Sequence, residues 1–402
     1  MEKLKTRADV ILNAAVSGQL GIPGVAAVAT DRHGNIYEGA AGARMLHADS
    51  PFSADTVCAI FSSTKPITGA ACLQLVEEGR LDLDAPAERY APSIGELKVF
   101  DGFSSDGSPK LRAPRRAITT RMLLLHTAGL GYSFFNKYYK ILEEQHGQPS
   151  SITATRASIK TPLLFEPGEQ WEYGGNINWV GQIVEAITDQ PLGEVLSERI
   201  LGPLGMDDTS FALNDSMRHR LASLHQRDQA GALVPIDLVL PQEPEVQMGG
   251  HGLYSTALDF AKFIRMWLND GAAPNGTAIL RPETVEMASR NGLGELKVKA
   301  LSGVMRNRAN DLEFFPGLPK SWALTFMVND VDAPTGRKAG SLGWCGLANL
   351  YYWIDRATGV GGFWATQVFP LFDPPAINGY LEFEAAVYRS LADGTGLRRP
   401  LG

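Results

Sequence analysis

The chain predicts an α/β protein of the α+β type: an antiparallel sheet built from both chain ends, flanked by helices, with a mostly helical region inserted between them. Three observations carry this. Strand-like apolar runs closed by turn residues occur near both ends of the sequence. Between them, apolar residues recur at helical spacing. Composition is that of an ordinary globular protein, with 402 residues, 44% hydrophobic and 20% charged, a length that buries roughly three quarters of the unfolded surface. On this reading residues 1–75 and 325–402 form the sheet region. Residues 76–324 form a mostly helical region with loops and short hairpins, and the whole is one continuous unit.

In order, Leu4, Ala8, Ile11, Leu12 and Ala15 mark an amphipathic first helix, and no apolar signal-peptide core precedes or interrupts them. Residues 24–29 read as a strand, turned back by Asp31-Arg32-His33-Gly34-Asn35 into residues 36–39. A buried helix opens at Phe61-Ser62-Ser63-Thr64-Lys65-Pro66 and ends near Gly79, with Pro66 tolerated because it falls in the first turn. Residues 101–117, rich in Gly, Ser, Asp and Pro, read as a surface loop. Within it, Arg112, Arg115 and Arg116 read as a solvated basic cluster. Thr119 or Thr120 caps a short helix that stops at His126.

Helical spacing returns at 134–146, and again at 176–200, where Trp179, Val180, Ile183, Val184, Ile187 and Leu192 share a face. Residues 228–247 are loop or short hairpin, 258–268 a helix, and 291–320 irregular. At the carboxyl end, residues 346–354 and 362–368 form strands joined by the turn Asp355-Arg356-Ala357-Thr358-Gly359. Residues 385–391 close the chain as a helix.

Composition excludes several function classes. A formal charge of −7 gives no basis for nucleic-acid binding. No stretch approaches the 18 apolar residues of a membrane span. Three scattered cysteines are an odd count and form no disulfide framework, so a reducing cytoplasm is the expected compartment. No metal-ligand spacing appears, so neither metal nor cofactor is expected. The oligomeric state cannot be read.

The chemistry-bearing residues start with Ser62 and Lys65. Spaced Ser-x-x-Lys, they share one helix face at a helix N-terminus, where backbone N–H groups favour negative charge. A neighbouring amine lowers the cost of deprotonating a serine. No Gly-x-Ser-x-Gly elbow occurs. The candidate base is Lys65 or Tyr173, a phenol that a nearby cation would acidify.

Ser62-x-x-Lys65, then Trp171-Glu172-Tyr173-Gly174-Gly175-Asn176, then Leu342-Gly343-Trp344-Cys345-Gly346, occur in an order that resembles the serine β-lactamase and penicillin-binding-protein superfamily. The resemblance spans residues 24–388 and is strongest to the non-lactamase branches, the family VIII carboxylesterases and lovastatin-type acyltransferases. Supporting stretches are Leu125-His126-Thr127-Ala128-Gly129-Leu130, Phe165-Glu166-Pro167-Gly168 and the segment around His251.

It implies a β-lactamase-like fold and a catalytic Ser62–Lys65–Tyr173 set, with Tyr173 the proton acceptor and Lys65 its electrostatic partner. The implied oxyanion donors are the backbone N–H groups of Ser62 and of Leu347 on its strand. Tyr132, Asn176, His251, Trp344 and Gly346 are candidate substrate-binding residues.

The chain departs from the lactamases where Trp344-Cys345-Gly346 replaces a cationic Lys-Thr-Gly, and where Gly175 replaces an asparagine. Lys338-Ala339-Gly340 imitates the lost motif but lies before the strand. These departures favour neutral esters over carboxylated β-lactams. The expected activity is carboxylic-ester cleavage through an acyl-serine, on a small-molecule ester. The alternatives are acyl transfer to an alcohol, β-lactamase or peptidase activity, and, from another class, a non-catalytic binding module.

Overall fold

The computed structural model describes residues 2–394. Helix α1 (Glu2–Ala15) leads into strands β1 (Gly24–Asp31) and β2 (Asn35–Gly42), paired as an antiparallel hairpin. A 3₁₀ turn over Phe61–Thr64 precedes helix α2 (Lys65–Glu77). Ser62 therefore sits in that tighter turn, one step outside the α-helix predicted for it. Residues 65–73 of α2 are all buried, and small side chains permit this. A Cβ on Gly69 would lie 2.6 Å from Thr325.

The stretch 101–117 is not a bare loop. A hairpin starts just before it and runs into it, β3 (Val99–Phe103) with β4 (Pro109–Arg112). Its Gly, Ser and Asp residues form the turn; β4 is polar, whereas Val99, Phe100 and Phe103 make β3 largely apolar. Nor are two of its arginines free. Arg112 and Arg115 both pair with the buried Glu166 carboxylate, which also accepts the Arg115 backbone N–H at 2.9 Å. This ties the hairpin to the Glu166-Pro167 turn.

Helix α3 (Thr120–Leu124) is capped by the Thr119 side chain, and α4 (Lys137–Gln145) by Asn136. The long helix expected over 176–200 breaks into α5 (Asn176–Thr188) and α6 (Leu192–Leu196), because Pro191 cannot continue the ladder. A short antiparallel pair follows, β5 (Leu224–Arg227) with β6 (Leu233–Ile236), and then α7 (Ala257–Leu268).

Strands β7 (Lys320–Trp322), β8 (Met327–Asn329), β9 (Leu342–Gly346), β10 (Leu350–Asp355) and β11 (Val360–Ala365) complete a seven-stranded antiparallel sheet of order β2-β1-β11-β10-β9-β8-β7. Helix α8 (Pro374–Ala392) closes the fold. The two chain ends thus share one sheet, joined where β1 pairs with β11.

The apolar runs of β10 and β11 are continuous because both faces are covered. Tyr352 and Phe363 meet Phe260 of α7, with Phe363 stacked at 4.3 Å. Alternate residues Trp353 and Trp364 meet Phe383 of α8 on the opposite face. The run expected as one strand over 346–354 is interrupted. β9 ends at Gly346, and Leu347-Ala348-Asn349 is a turn, with Asn349 at φ 62°. Leu347 therefore stands just past its strand. Lys338 lies before β9, exposed and paired with Asp332 at 2.7 Å, so the motif it imitates is not formed there.

Candidate active site

Ser62 is placed by a sharp backbone turn. Phe61 adopts φ 43°, a left-handed conformation unusual for a bulky residue. The turn carries the chain from the short strand Cys58–Ala59 into the 3₁₀ turn, where N–H groups lack partners within the helix. The third-motif strand approaches it closely. A Cβ on Gly346 would sit 2.3 Å from the Ile60 carbonyl oxygen, so only glycine fits. That approach brings Leu347 beside Ser62, and both line one cavity of about 110 Å³.

Lys65 is wholly buried. Its Nζ lies 3.0 Å from Ser62 Oγ, 3.2 Å from Tyr132 Oη and 2.8 Å from the Gly250 carbonyl oxygen. No carboxylate pairs with it among the described residues. Burial therefore holds the amine well below the ordinary lysine pKa of 10.5, with Cys345 a smaller opposing influence.

Tyr173 lies within the same group but in a different relation to the amine. Lys65 Nζ stands 4.7 Å from the centre of its ring. The phenol oxygen lies near the Ser62 hydroxyl and the Trp344 indole, yet makes no well-formed hydrogen bond. Burial, with Tyr132 and Cys345 adding to it, pushes the phenol well above its ordinary value. The acidified phenol expected from the sequence is thus reversed: desolvation is the largest influence on both groups, lowering the amine and raising the phenol.

His126 organises this group from behind. Its Nδ1 accepts from the Gly174 N–H at 3.3 Å and faces the Asn176 amide at 2.9 Å. Its carbonyl accepts from the Glu172 N–H at 2.9 Å. His126 therefore grips the segment on both sides of Tyr173, and the two donors put its ring proton on Nε2. Burial first, and the Lys65 charge second, hold it neutral.

The substrate-binding candidates divide. Tyr132 and His251 line the cavity with Ser62. Asn176 does not: it is fully buried and spends its amide on His126 and the Leu130 carbonyl. Trp344 is also behind the cavity, its ring 4.8 Å from those of both Tyr173 and Trp322. Gly346 acts through the room it leaves. Cys345 is buried, and burial keeps it a thiol. Of the aromatic cluster, Phe134 stacks on Tyr132 at 5.0 Å and lines the cavity, whereas Tyr139 bonds to the Pro162 carbonyl in the core. Arg308, on the same cavity, carried no sequence signal, because its segment has no periodicity or motif.

An antiparallel sheet from both chain ends, with a buried serine and lysine where the inserted helices meet it, is the architecture of the serine β-lactamase superfamily. The chain belongs to the β-lactamase family, whose model matches residues 12–387, and it is an enzyme of that superfamily. It is 33% identical over 395 residues to the lovastatin esterase of Penicillium rubens, covering 93% of this chain and 96% of that one. It is 30% identical over 391 residues to monacolin J acid methylbutanoyltransferase of Aspergillus terreus, covering 93% of each. Among solved structures, a variant of simvastatin synthase from Aspergillus terreus superposes with a TM-score of 0.83 at 30% identity, over 96% of this chain and 95% of that one.

Proposed function

We propose that the protein is a carboxylesterase working through an acyl-serine at Ser62. The observation that carries this is the 3.0 Å contact between Ser62 Oγ and a buried Lys65 amine that has no counter-charge among the described residues. A neutral amine at that distance takes the hydroxyl proton as Oγ attacks the ester carbonyl. The backbone N–H groups of Ser62 and Leu347 receive the developing oxyanion.

On this reading the Lys65 ammonium returns its proton to the leaving alkoxide, while the Tyr173 phenol donates a hydrogen bond to the departing oxygen. Water, activated by the same amine, then releases the acid. This assignment makes Lys65 the base and Tyr173 a neutral donor, the reverse of the division of labour expected from the resemblance.

Labelling with a fluorophosphonate tests the reading. An adduct at Ser62, lost in Ser62→Ala, supports it, and an unlabelled Ser62 sinks it. Acyl transfer to an alcohol is the second reading, supported by the named activity of the Aspergillus relative. It shares the first half-reaction. Competition between water and an added alcohol separates the two: free acid alone as product eliminates transfer.

A further inference from the structure

The cavity above Ser62 carries a cation that the mechanism does not use. Arg308 lines it together with Phe369, and its guanidinium lies 5.3 Å from the centre of that ring. Its backbone is fixed on both sides: its N–H donates to the Met305 carbonyl at 2.8 Å, and its own carbonyl accepts from the Leu371 N–H at 2.9 Å. The side chain is half-buried and meets no carboxylate among the described residues, whereas Arg306 nearby pairs with Asp311 at 3.1 Å. A stacked, pre-positioned guanidinium with its donors uncommitted is suited to planar, bidentate capture of an anion.

The cation that would hold a substrate carboxylate in the lactamases is missing from the third motif. Trp344 stands there, and Lys338 is spent on Asp332. Arg308 brings a positive charge to the cavity from a different part of the chain. Glu143 also lines the cavity without pairing to Arg308. Its charge penalises a dianion more than a monoanion, which favours a carboxylate over a phosphate.

We propose that Arg308, lying over the Phe369 ring in the cavity that Ser62 also lines, binds a carboxylate on the substrate, so that the preferred esters are monoanions. This deepens the proposed esterase reading and rests on it.

Two pairs of esters test it, each a carboxylate against its methyl ester. Mono-(4-nitrophenyl) glutarate and 4-nitrophenyl methyl glutarate place the charge on the acyl side. The compounds 4-acetoxybenzoate and methyl 4-acetoxybenzoate place it on the alcohol side. Binding is measured by calorimetry on the Ser62→Ala protein, so the result does not depend on turnover.

In at least one pair the carboxylate binds about tenfold tighter, the scale of one charge-assisted contact. The ratio falls as salt is raised. It collapses towards one in Arg308→Met, is partly kept in Arg308→Lys, and is unchanged in Arg306→Met, outside the cavity. Ratios at or below one in both pairs overturn the proposal, as does a preference that survives Arg308→Met. Hydrolysis by the unmodified enzyme is read separately: binding preference without any ester cleavage overturns the esterase reading and leaves Arg308 its carboxylate.

Discussion

Lys65 presents its amine to the ring face of Tyr173, 4.7 Å from the centroid, and to the hydroxyl of Tyr132, at 3.2 Å. The two tyrosines therefore hold different relations to one nitrogen. Tyr173→Phe removes the hydroxyl near Ser62 while keeping the ring, and lowers kcat about a hundredfold with little change in KM. Tyr132→Phe removes an acceptor that favours the ammonium, so the acidic limb of the kcat/KM profile moves to lower pH. Steady-state kinetics across pH distinguishes the two. An unmoved limb in Tyr132→Phe argues against Lys65 as the titrating group.

In the unmodified enzyme, kcat/KM rises with pH as Lys65 loses its proton, through a midpoint well below 10.5 because burial disfavours the ammonium. His126 is held well down and His251 at about 3, in both cases mainly by burial, so neither histidine produces that limb. The Tyr173 phenol is raised, so activity does not fall where an ordinary phenol ionises. A pH–rate profile on a neutral ester checks all three. A fall beginning near pH 8 contradicts the neutral-phenol assignment.

A lysine kept neutral by burial weakens the fold. Its pKa is lower folded than unfolded, so the unfolded chain binds more protons, and the cost grows as pH falls below 10.5. Lys65→Met abolishes turnover, by about 10⁴-fold or more, yet is stabilised near neutral pH by about 1 kcal/mol. The stability gain widens as pH falls from 10.5 towards the folded-state pKa of Lys65 and is constant below it. Urea melts of both proteins at two pH values read it, and a gain that shrinks on acidification refutes the argument.

Gly346→Ala places a methyl group 2.3 Å from the Ile60 carbonyl oxygen, a contact with backbone that cannot yield cheaply. Strand β9 and the Ser62 turn are pushed apart, and the two oxyanion N–H groups with them. The expected loss is about a hundredfold in kcat with the far-ultraviolet dichroism unchanged. Retention of full activity shows that the Leu347 N–H is not a donor.

The two hairpins of the sheet, β1–β2 and β10–β11, are legible because they are bounded by strong turn signals, Asp31 to Asn35 and Asp355 to Gly359, whereas the three-residue strands β7 and β8 are too short to show a pattern. Where such signals sit inside an apolar run, the break between strands is hidden. The turn at Leu347-Ala348-Asn349 is flanked by Gly346 and Leu350, and only Asn349, tolerant of φ 62°, betrays it. The β3–β4 hairpin is hidden for another reason: β4 is polar, and Val99, Phe100 and Phe103 of β3 fall at no two-residue alternation.

At the site, Ser62 and Lys65 are close in sequence and share a face. The proximity of Tyr132 to Lys65 depends on how the loop after His126 folds back, which no local pattern encodes. Desolvation was equally invisible: the sequence shows an amine near a phenol, but not that both are sealed from water.

The close approach of Gly346 to Ile60 joins the first quarter of the chain to its last strands. A nascent or partly refolded molecule that has built its helices but not docked β9 holds the nucleophile without its oxyanion pocket. Recovered turnover is therefore a readout of that docking, and during refolding it cannot precede the contact between β9 and the Ser62 turn.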